Sequence, residues 1–387
     1  MYRGNAPFEG VSFFCALLEV CKMTYIYRDT AAPCREFGIS TKYSNGTMDL
    51  NTLFSLLSAR GVSGNERDAG ELFTHFIRPY VDEVTVDIYG NFIAHRRGSG
   101  QKVMFAAHID EVGLMVTYID PDGYLYFQPV GGVDVTILPS QRVYIIHDEE
   151  TVVGVVGKKA IHLMTPEERG KSQVKVEDLW IDIGASSQAE AEARVSVGDY
   201  ISYATEPELL SLEHVTSKSL DDRVGVYAMV EIAHLLSSQP LSCDLYLVAS
   251  LQEELGCRGI RTAAYSLRPD IGIAIDVTHA TDYPSVNPRR SGQIELGKGC
   301  VITKGPNIAP ELARRLVAAA ERESIPYQLE AIAHPTGTDA NLMQVSAEGI
   351  RTALLSIPCR YMHTPNEVVS LRDIEATARL GAAVVKS

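Results

Sequence analysis

Four short apolar segments, each suited to a buried strand, restrict the fold of this chain more than any other feature. They lie at residues 103–107, 245–251, 271–275 and 352–357. A helical pattern of apolar residues, at 224–236, stands between the first two segments. Nearly continuous apolar runs are typical of strands covered on both faces, as in the sheets of α/β proteins. The sequence therefore predicts an α/β domain with a buried central sheet.

A different pattern, of short β runs separated by turn residues, extends from about residue 113 to residue 205. The segment Asp120-Pro121-Asp122-Gly123 is one of these turns. The pattern predicts a small all-β, barrel-like insertion (113–205) within an α/β domain formed by residues 48–112 and 206–387. Residues 1–47 show no sustained periodicity, and we predict a poorly ordered extension there.

Composition and charge limit the classes of partner. The formal net charge of −14 argues against binding to nucleic acid or to anionic membranes, because both would repel the chain. Seven cysteines without a C-x-x-C pair argue against a disulfide framework and favour a reducing compartment. No apolar run reaches the roughly 18 to 20 residues that span a bilayer, and Glu19 interrupts the signal-like run at 11–21. We therefore expect a cytoplasmic protein with small-molecule or peptide substrates.

Side chains that can bind metal ions follow the four apolar segments. They are His108, Glu253, Glu254, Asp276 and His363. Asp221 and Asp222 add two carboxylates directly before the helical pattern at 224–236. Open α/β sheets place their active sites at the edge where such strands end. Because zinc takes nitrogen and oxygen ligands of these types, the set is chemically sufficient for two metal ions.

Each of these residues also has a purely structural interpretation. Taken alone, His108 is more often a hydrogen-bonded residue at the border of a core than a ligand. Asp221 and Asp222 could be the N-cap and the first-turn acid of their helix. The pair Glu253-Glu254 could be solvated, although it directly follows an apolar strand. Several such placements by coincidence are much less probable than any one of them, so we favour a metal site.

The motifs that carry these residues resemble those of the tetrahedral aminopeptidases, the family of glutamyl and deblocking aminopeptidases. In chain order the motifs are AAHIDEVG at 106–113, SLDDRVG at 219–225, QEELG at 252–256, AIDVT at 274–278 and RYMHTP at 360–365. The segment TGTDA at 336–340 is similar to a further motif of that family, close to its substrate site. The resemblance extends from about Met48 to the end of the chain.

The resemblance implies a role for each residue. A metallopeptidase domain would hold two divalent metal ions, zinc or cobalt, with one on His108 and Asp276, the other on Glu254 and His363, and Asp221 between them. It also implies that Glu253 is the general base and that the peptide bond between Asp221 and Asp222 is cis. Asp110 stands two residues beyond His108, so in an extended segment both side chains share a face and Asp110 can orient the imidazole.

The resemblance further implies peptide substrates that are shortened from the N-terminus and a twelve-subunit tetrahedral particle built from dimers. We expect the β insertion to mediate this assembly and to restrict access to the site.

Competing motifs are poor. Residues 292–298 have the spacing of a phosphate loop, but Gly299 stands where Ser or Thr is required, and we interpret the segment as a strand. The sequence contains no H-E-x-x-H helix and no G-x-S-x-G elbow. Cys257 has no evident histidine partner and is interpreted as a packed thiol.

Three other functions remain as alternatives. A metal-dependent deacylase or carboxypeptidase would use the same ions. A glycosidase is disfavoured, because adjacent residues of an extended strand face opposite ways, whereas glycosidase carboxyl groups flank one bond at roughly 5 to 9.5 Å. A non-catalytic metal-binding scaffold leaves Glu253 without a purpose beside an apparently complete ligand set.

Overall fold

A computed structural model describes residues 48–148, 150–169 and 174–386. The extension predicted at residues 1–47 lies outside this part of the chain. Within the described ranges, no helix is both long enough and apolar enough to cross a membrane.

The α-helices are numbered in chain order. They are α1 Leu50–Ser58, α2 Arg67–Ile77, α3 Pro166–Arg169, α4 Gln188–Glu192, α5 Leu220–Leu236, α6 Arg258–Leu267, α7 Pro288–Ser291, α8 Pro310–Arg322, α9 Asp339–Gln344 and α10 Leu371–Val385. Helix α1 illustrates the local causes: Leu50, Leu53 and Leu57 recur at helical spacing and are buried. The Asp49 carboxylate caps the helix by accepting a hydrogen bond from the backbone N–H of Asn51.

The strands are also numbered in chain order. They are β1 Glu83–Val86, β2 Phe92–Arg96, β3 Lys102–His108, β4 Gly113–Ile119, β5 Leu125–Val130, β6 Arg142–His147, β7 Glu150–Lys158, β8 Leu179–Asp182, β9 Tyr200–Tyr203, β10 Glu208–Leu209, β11 His214–Ser217, β12 Asp244–Ser250, β13 Ile271–His279, β14 Cys300–Lys304, β15 Tyr327–Ala331, β16 Arg351–Arg360 and β17 Glu367–Ser370.

The main sheet has eleven strands and mixed directions. Its continuous path runs β1-β2-β12-β3-β13-β16-β17-β11-β10, and β14 and β15 branch from β16. The four predicted apolar segments form β3, β12, β13 and β16, which are parallel neighbours at the centre. The prediction of a mixed-sheet α/β domain is confirmed.

Helices cover the central strands. From Val103 to His108 every residue of β3 is buried, and since successive side chains point to opposite faces, both faces of the strand must be covered. Helix α5 packs on β3 and β13, and α10 packs on α5. Helices α6 and α9 contact each other. Helix α6 packs on β12, and α9 packs on β13 and β16. This burial fixes the strand ends where the site lies.

The second sheet is a closed barrel of antiparallel strands in the order β4-β5-β8-β7-β6-β9. Its own core contains Leu114, Leu125, Ile145, Ile181 and Ile201, all nearly inaccessible to solvent. The chain leaves the main sheet after β3, forms the barrel, and returns to the main sheet with β10. The prediction of a barrel-like all-β insertion in the fold is therefore confirmed.

Two local predictions were wrong. Residues 292–298 do not form a strand but a loop, because the Asp373 carboxylate accepts hydrogen bonds from the backbone N–H groups of Gly297 and Gly299. Asp276 does not end its strand: β13 continues to His279, since its pairing with β16 persists to that residue. Asp276 nevertheless lies near the carboxyl end of the parallel strands.

Candidate metal centre

The structure brings all seven predicted site residues to one region at the carboxyl ends of the central strands. His108 is the last residue of β3, Asp276 lies in β13, and Asp221 lies in the first turn of α5. Glu253 and Glu254 follow β12, and His363 follows β16. Asp110 follows β3 and contacts both the His108 imidazole and the Glu253-Glu254 turn.

Asp221 lies between the two histidines. Its Oδ1 is 2.9 Å from Nε2 of His108, and its Oδ2 is 3.2 Å from Nε2 of His363. Its backbone N–H donates to Oε2 of Glu367 at 3.0 Å, which fixes the segment that carries the carboxylate. The peptide bond between Asp221 and Asp222 is cis, as the resemblance implies.

His363 is held on both ring nitrogens. Its Nε2 is 3.1 Å from Oε1 of Glu254, in addition to the contact with Asp221. Its Nδ1 lies 2.9 Å from the backbone oxygen of Gly132, in the loop that follows the barrel strand β5. Burial alone would lower the pKa of His363, but the hydrogen bonds to Asp221 and Glu254 raise it to about 11.

His108 is oriented in the same way. Its Nδ1 lies 3.2 Å from the backbone oxygen of Asp110 and 3.5 Å from Oδ1 of that residue, which leaves Nε2 directed at Asp221. The Asp110 carboxylate also accepts hydrogen bonds from the backbone N–H groups of Glu253, at 3.0 Å, and Glu254, at 3.2 Å. Asp110 therefore ties the end of β3 to the turn after β12.

Glu253 has a different partner from Glu254. Its Oε1 accepts a hydrogen bond from Sγ of Cys257 at 3.1 Å. Burial, opposed in part by His108, raises the pKa of Glu253 to about 8. Cys257 is a buried thiol, as predicted, but its contact with the Glu253 carboxylate was not foreseen.

Asp276 and Asp222 complete the set beside His108. Oδ1 of Asp276 is 3.9 Å from Nε2 of His108. Ligand-type atoms of His108, Asp222 and Asp276 all lie within 4.8 Å of one another, as do those of His108, Asp221 and Glu254. Burial raises the pKa of both carboxyl groups well above the usual range, with added repulsion from Asp221 on Asp222 and from Asp222 on Asp276.

These features fit divalent cations. Buried carboxylates that face one another need positive charge close to them, and imidazole nitrogen with carboxylate oxygen is a ligand set that zinc accepts. Oδ2 of Asp222 is buried and has no hydrogen-bond partner among the described residues. The two Nε2 atoms that face Asp221 are positions from which neutral imidazoles bind metals.

A family model provides the decisive comparison. The model of the M42 glutamyl aminopeptidases matches residues 90–380, which is most of the chain. The chain belongs to the M42 family. The predictions of an aminopeptidase family and of a peptide-bond hydrolase are therefore confirmed.

Relatives and solved structures agree with this assignment. The lysyl aminopeptidase of Pyrococcus furiosus is 40% identical over 343 residues, which are 88% of this chain and 97% of that protein. An aminopeptidase from the archaeon Desulfurococcus kamchatkensis is 37% identical, with a TM-score of 0.81, over 87% of this chain and 93% of that one. The TET1 peptidase of Pyrococcus horikoshii, described as assembling into a tetrahedron or a large octahedral shell, is 31% identical, with a TM-score of 0.78, over 87% and 98% of the two chains.

Sequence reasoning missed one residue that positions two proposed ligands of this M42 peptidase. Glu367 is 2% exposed, and its Oε1 accepts a hydrogen bond from the backbone N–H of His363 at 2.7 Å. Its Oε2 accepts a hydrogen bond from the backbone N–H of Asp221. The sequence signal that could have identified Glu367 is an acidic residue at the start of an apolar strand, because a buried charge there needs partners.

A buried ion pair that supports the same region was also missed. Nζ of Lys218 is 2.7 Å from Oε2 of Glu111 and donates to the backbone oxygen of Ala59 at 2.8 Å. Ser219 also donates to the Glu111 carboxylate. Because Lys218 and Ser219 lie shortly before Asp221 in the chain, these contacts anchor the segment that leads to Asp221. Glu111 stands inside one of the family-like motifs, but its partner is 107 positions away and no local pattern connects them.

Proposed function

We propose that this M42 peptidase is an aminopeptidase with a dinuclear metal centre, in which Asp221 is the ligand shared by both ions. The observation that carries the proposal is the placement of the two Asp221 oxygens, one 2.9 Å from Nε2 of His108 and the other 3.2 Å from Nε2 of His363. A carboxylate with one oxygen facing each histidine is suited to bridge two cations.

The remaining ligands are assigned by their neighbours. Asp276 would share the ion on His108. The distance of 3.9 Å between Oδ1 of Asp276 and Nε2 of His108 supports that pairing. Glu254 would share the ion on His363, where the corresponding distance is 3.1 Å. Zinc and cobalt both accept this mixture of nitrogen and oxygen ligands.

Glu253 is the proposed general base. Two bound cations would lower the pKa of an attacking water and polarise the scissile carbonyl. Glu253 would accept the proton of that water on its carboxylate and return it to the leaving amine. The backbone hydrogen bond from Glu253 to Asp110, and the one from the Cys257 thiol to Oε1, would hold the carboxylate in place for both transfers.

Chelation is the direct test of metal dependence. Removal of metal ions should abolish hydrolysis of a peptide with a free N-terminus, and addition of zinc or cobalt should restore it. The same preparation should be assayed on an N-acylated peptide and on release of C-terminal residues. Faster turnover of either of these substrates would favour the deacylase or carboxypeptidase alternative. Activity that survives complete metal removal would contradict the proposal.

The barrel is the proposed assembly and access element. The backbone oxygen of Gly132, next to the barrel, contacts His363, so this domain borders the site without contributing a proposed ligand. The assembly of the Pyrococcus horikoshii peptidase into a tetrahedron or an octahedral shell supports a similar particle here, and the form that we propose is a twelve-subunit tetrahedron. A monomeric mass in solution, measured together with full peptidase activity, would contradict this role.

A further inference from the structure

A second group of ligand-type side chains lies next to the proposed dinuclear centre. Ligand atoms of Glu253, Cys257 and Asp339 lie within 4.8 Å of one another. All three residues are buried, with exposed fractions of 9%, 7% and 2%. None of the five proposed ligands of the dinuclear centre belongs to this group, and among the groups of ligand-type atoms in the described residues it is the one that contains sulfur.

Only one of the two carboxylate oxygens of Asp339 has a hydrogen-bond partner among the described residues, which favours a cation beside the other. Its Oδ2 accepts a hydrogen bond from the Ser250 hydroxyl. Its Oδ1 is buried and has no hydrogen-bond partner in the part of the chain that the structure describes. A buried carboxylate oxygen without a donor is costly, and a cation held between it and its neighbours would remove that cost.

The geometry points to a third cation site formed by Glu253, Cys257 and Asp339, which binds soft divalent ions such as cadmium, or zinc in excess, and thereby inhibits the enzyme. The inhibitory part rests on the proposed function, because it requires Glu253 to be the general base. A Glu253 carboxylate that is bound to a cation cannot accept a proton from water. The binding part rests only on the cluster.

Sulfur sets the selectivity of this site. Thiolate favours zinc and cadmium over magnesium and calcium, which prefer oxygen. Burial and the neighbouring carboxylates raise the pKa of the Cys257 thiol, so the sulfur keeps its proton until a cation replaces it. On binding, the thiol proton passes to water, and two carboxylates and one thiolate then face one dication.

The test uses the full chain loaded with two zinc ions per subunit, titrated with cadmium at constant zinc. Cadmium bound to thiolate has a ligand-to-metal charge-transfer band in the ultraviolet, whereas cadmium exchanged into the dinuclear centre would have only nitrogen and oxygen ligands. We expect a band that Cys257→Ser lacks. Cys243→Ser is the matched control, because Cys243 is also buried but precedes β12 at the opposite end from the site. This control should keep the band.

Asp339→Asn keeps the thiol and removes one carboxylate, so it also serves if Cys257→Ser does not fold. Its cadmium midpoint should rise by at least about tenfold. Turnover, relative to the starting rate of each protein, should fall as the band grows, and in Cys257→Ser this fall should need at least about tenfold more cadmium. Equal bands in the wild type and Cys257→Ser, or an unchanged midpoint in Asp339→Asn, would overturn the site.

A separate measurement distinguishes failure of the inference from failure of the proposed function. A Cys257-dependent band with turnover that cadmium does not change would overturn the inhibitory role alone. If Glu253 were not the base, Glu253→Gln would keep its turnover without added cadmium, whatever the band does.

Discussion

The carboxylates of Glu253 and Glu254 face different partners although the residues are consecutive. Oε1 of Glu254 lies 3.1 Å from Nε2 of His363, whereas Oε1 of Glu253 accepts a hydrogen bond from the Cys257 thiol at 3.1 Å. The chain turns between them, with Asp110 accepting a hydrogen bond from each backbone N–H. The two glutamates should therefore respond differently to the same substitution.

Glu253→Gln should keep both metal ions and lose turnover. The amide retains the size of the side chain but cannot accept the proton, so peptide hydrolysis should fall by roughly 10²-fold or more. Metal content per subunit and turnover should be measured on one preparation. A fully active variant would contradict the assignment of the base.

Glu254→Gln should instead weaken one metal site. A neutral amide is a poorer ligand for a dication than a carboxylate, so metal content should fall and an excess of zinc or cobalt should restore part of the activity. Glu253→Gln is the matched control, since it makes the same change at the neighbouring position. Equal loss of metal in the two variants would show that their roles are not separate.

Glu367→Gln should weaken both metal sites without removing a ligand. Glu367 accepts the backbone hydrogen bonds of Asp221 and His363, and an amide would turn a donor towards one of them. Metal affinity should fall by about 10- to 100-fold, as is usual when a group that orients ligands is changed. Equilibrium dialysis against buffered zinc measures this directly.

Asp373→Asn is the control for simple destabilisation. Asp373 is also a buried carboxylate that accepts two backbone hydrogen bonds, from Gly297 and Gly299, but neither residue is a proposed ligand. It should change the free energy of unfolding while zinc affinity stays within about twofold of the wild type, because its contacts do not orient a ligand. Equal losses of affinity in the two variants would contradict the positioning role of Glu367.

The central strands could be predicted because their signal is local. Each apolar run is long enough to form a strand, and a polar residue marks the end of the run. The sequence does not mark strands β5 and β8 of the barrel individually. Pro129 lies within β5 and cannot donate to a ladder, and β8 has only four residues, Leu179–Asp182. Their pairing partners, rather than their own sequences, make them strands.

The features of the site likewise divide into those that are visible in the local sequence and those that depend on the tertiary structure. Ligand-type side chains at strand ends are visible in the sequence, and so are the motifs that carry them. The backbone oxygen of Gly132 that orients His363 is not, because every residue has such an oxygen and only the tertiary structure brings this one to the imidazole. The contact of Cys257 with Glu253 was missed because it depends on the rotation of the turn between them.

A chain that begins at Met48 should fold, bind metal and hydrolyse peptides. Residues 1–47 carry no proposed ligand, and the family match begins at residue 90. Metal content and turnover per subunit should equal those of the full chain. A soluble product that has lost metal and activity would show that the extension is required.

Glu66 should make stability depend on pH. It is 5% exposed, and Oε1 accepts a hydrogen bond from the backbone N–H of Gly64 at 2.6 Å. Burial raises the pKa of this carboxyl group from 4.5 to about 7, and the nearby charge of Asp110 acts in the same direction. The folded state therefore binds this proton more tightly than the unfolded state does.

The sign follows from that difference. The contribution of Glu66 to stability is fully present below pH 4.5 and is lost as the pH rises towards about 7, so the wild type should lose stability across this window relative to Glu66→Gln, which does not titrate. At about 1.4 kcal/mol per pKa unit, the relative loss is roughly 3 kcal/mol at most.

Denaturant unfolding at fixed protein concentration should be compared at both ends of the window. Glu71→Gln, an exposed change in helix α2, which begins directly after Glu66, should follow the wild type. Parallel profiles for the wild type and Glu66→Gln would mean that folding does not raise the pKa of Glu66.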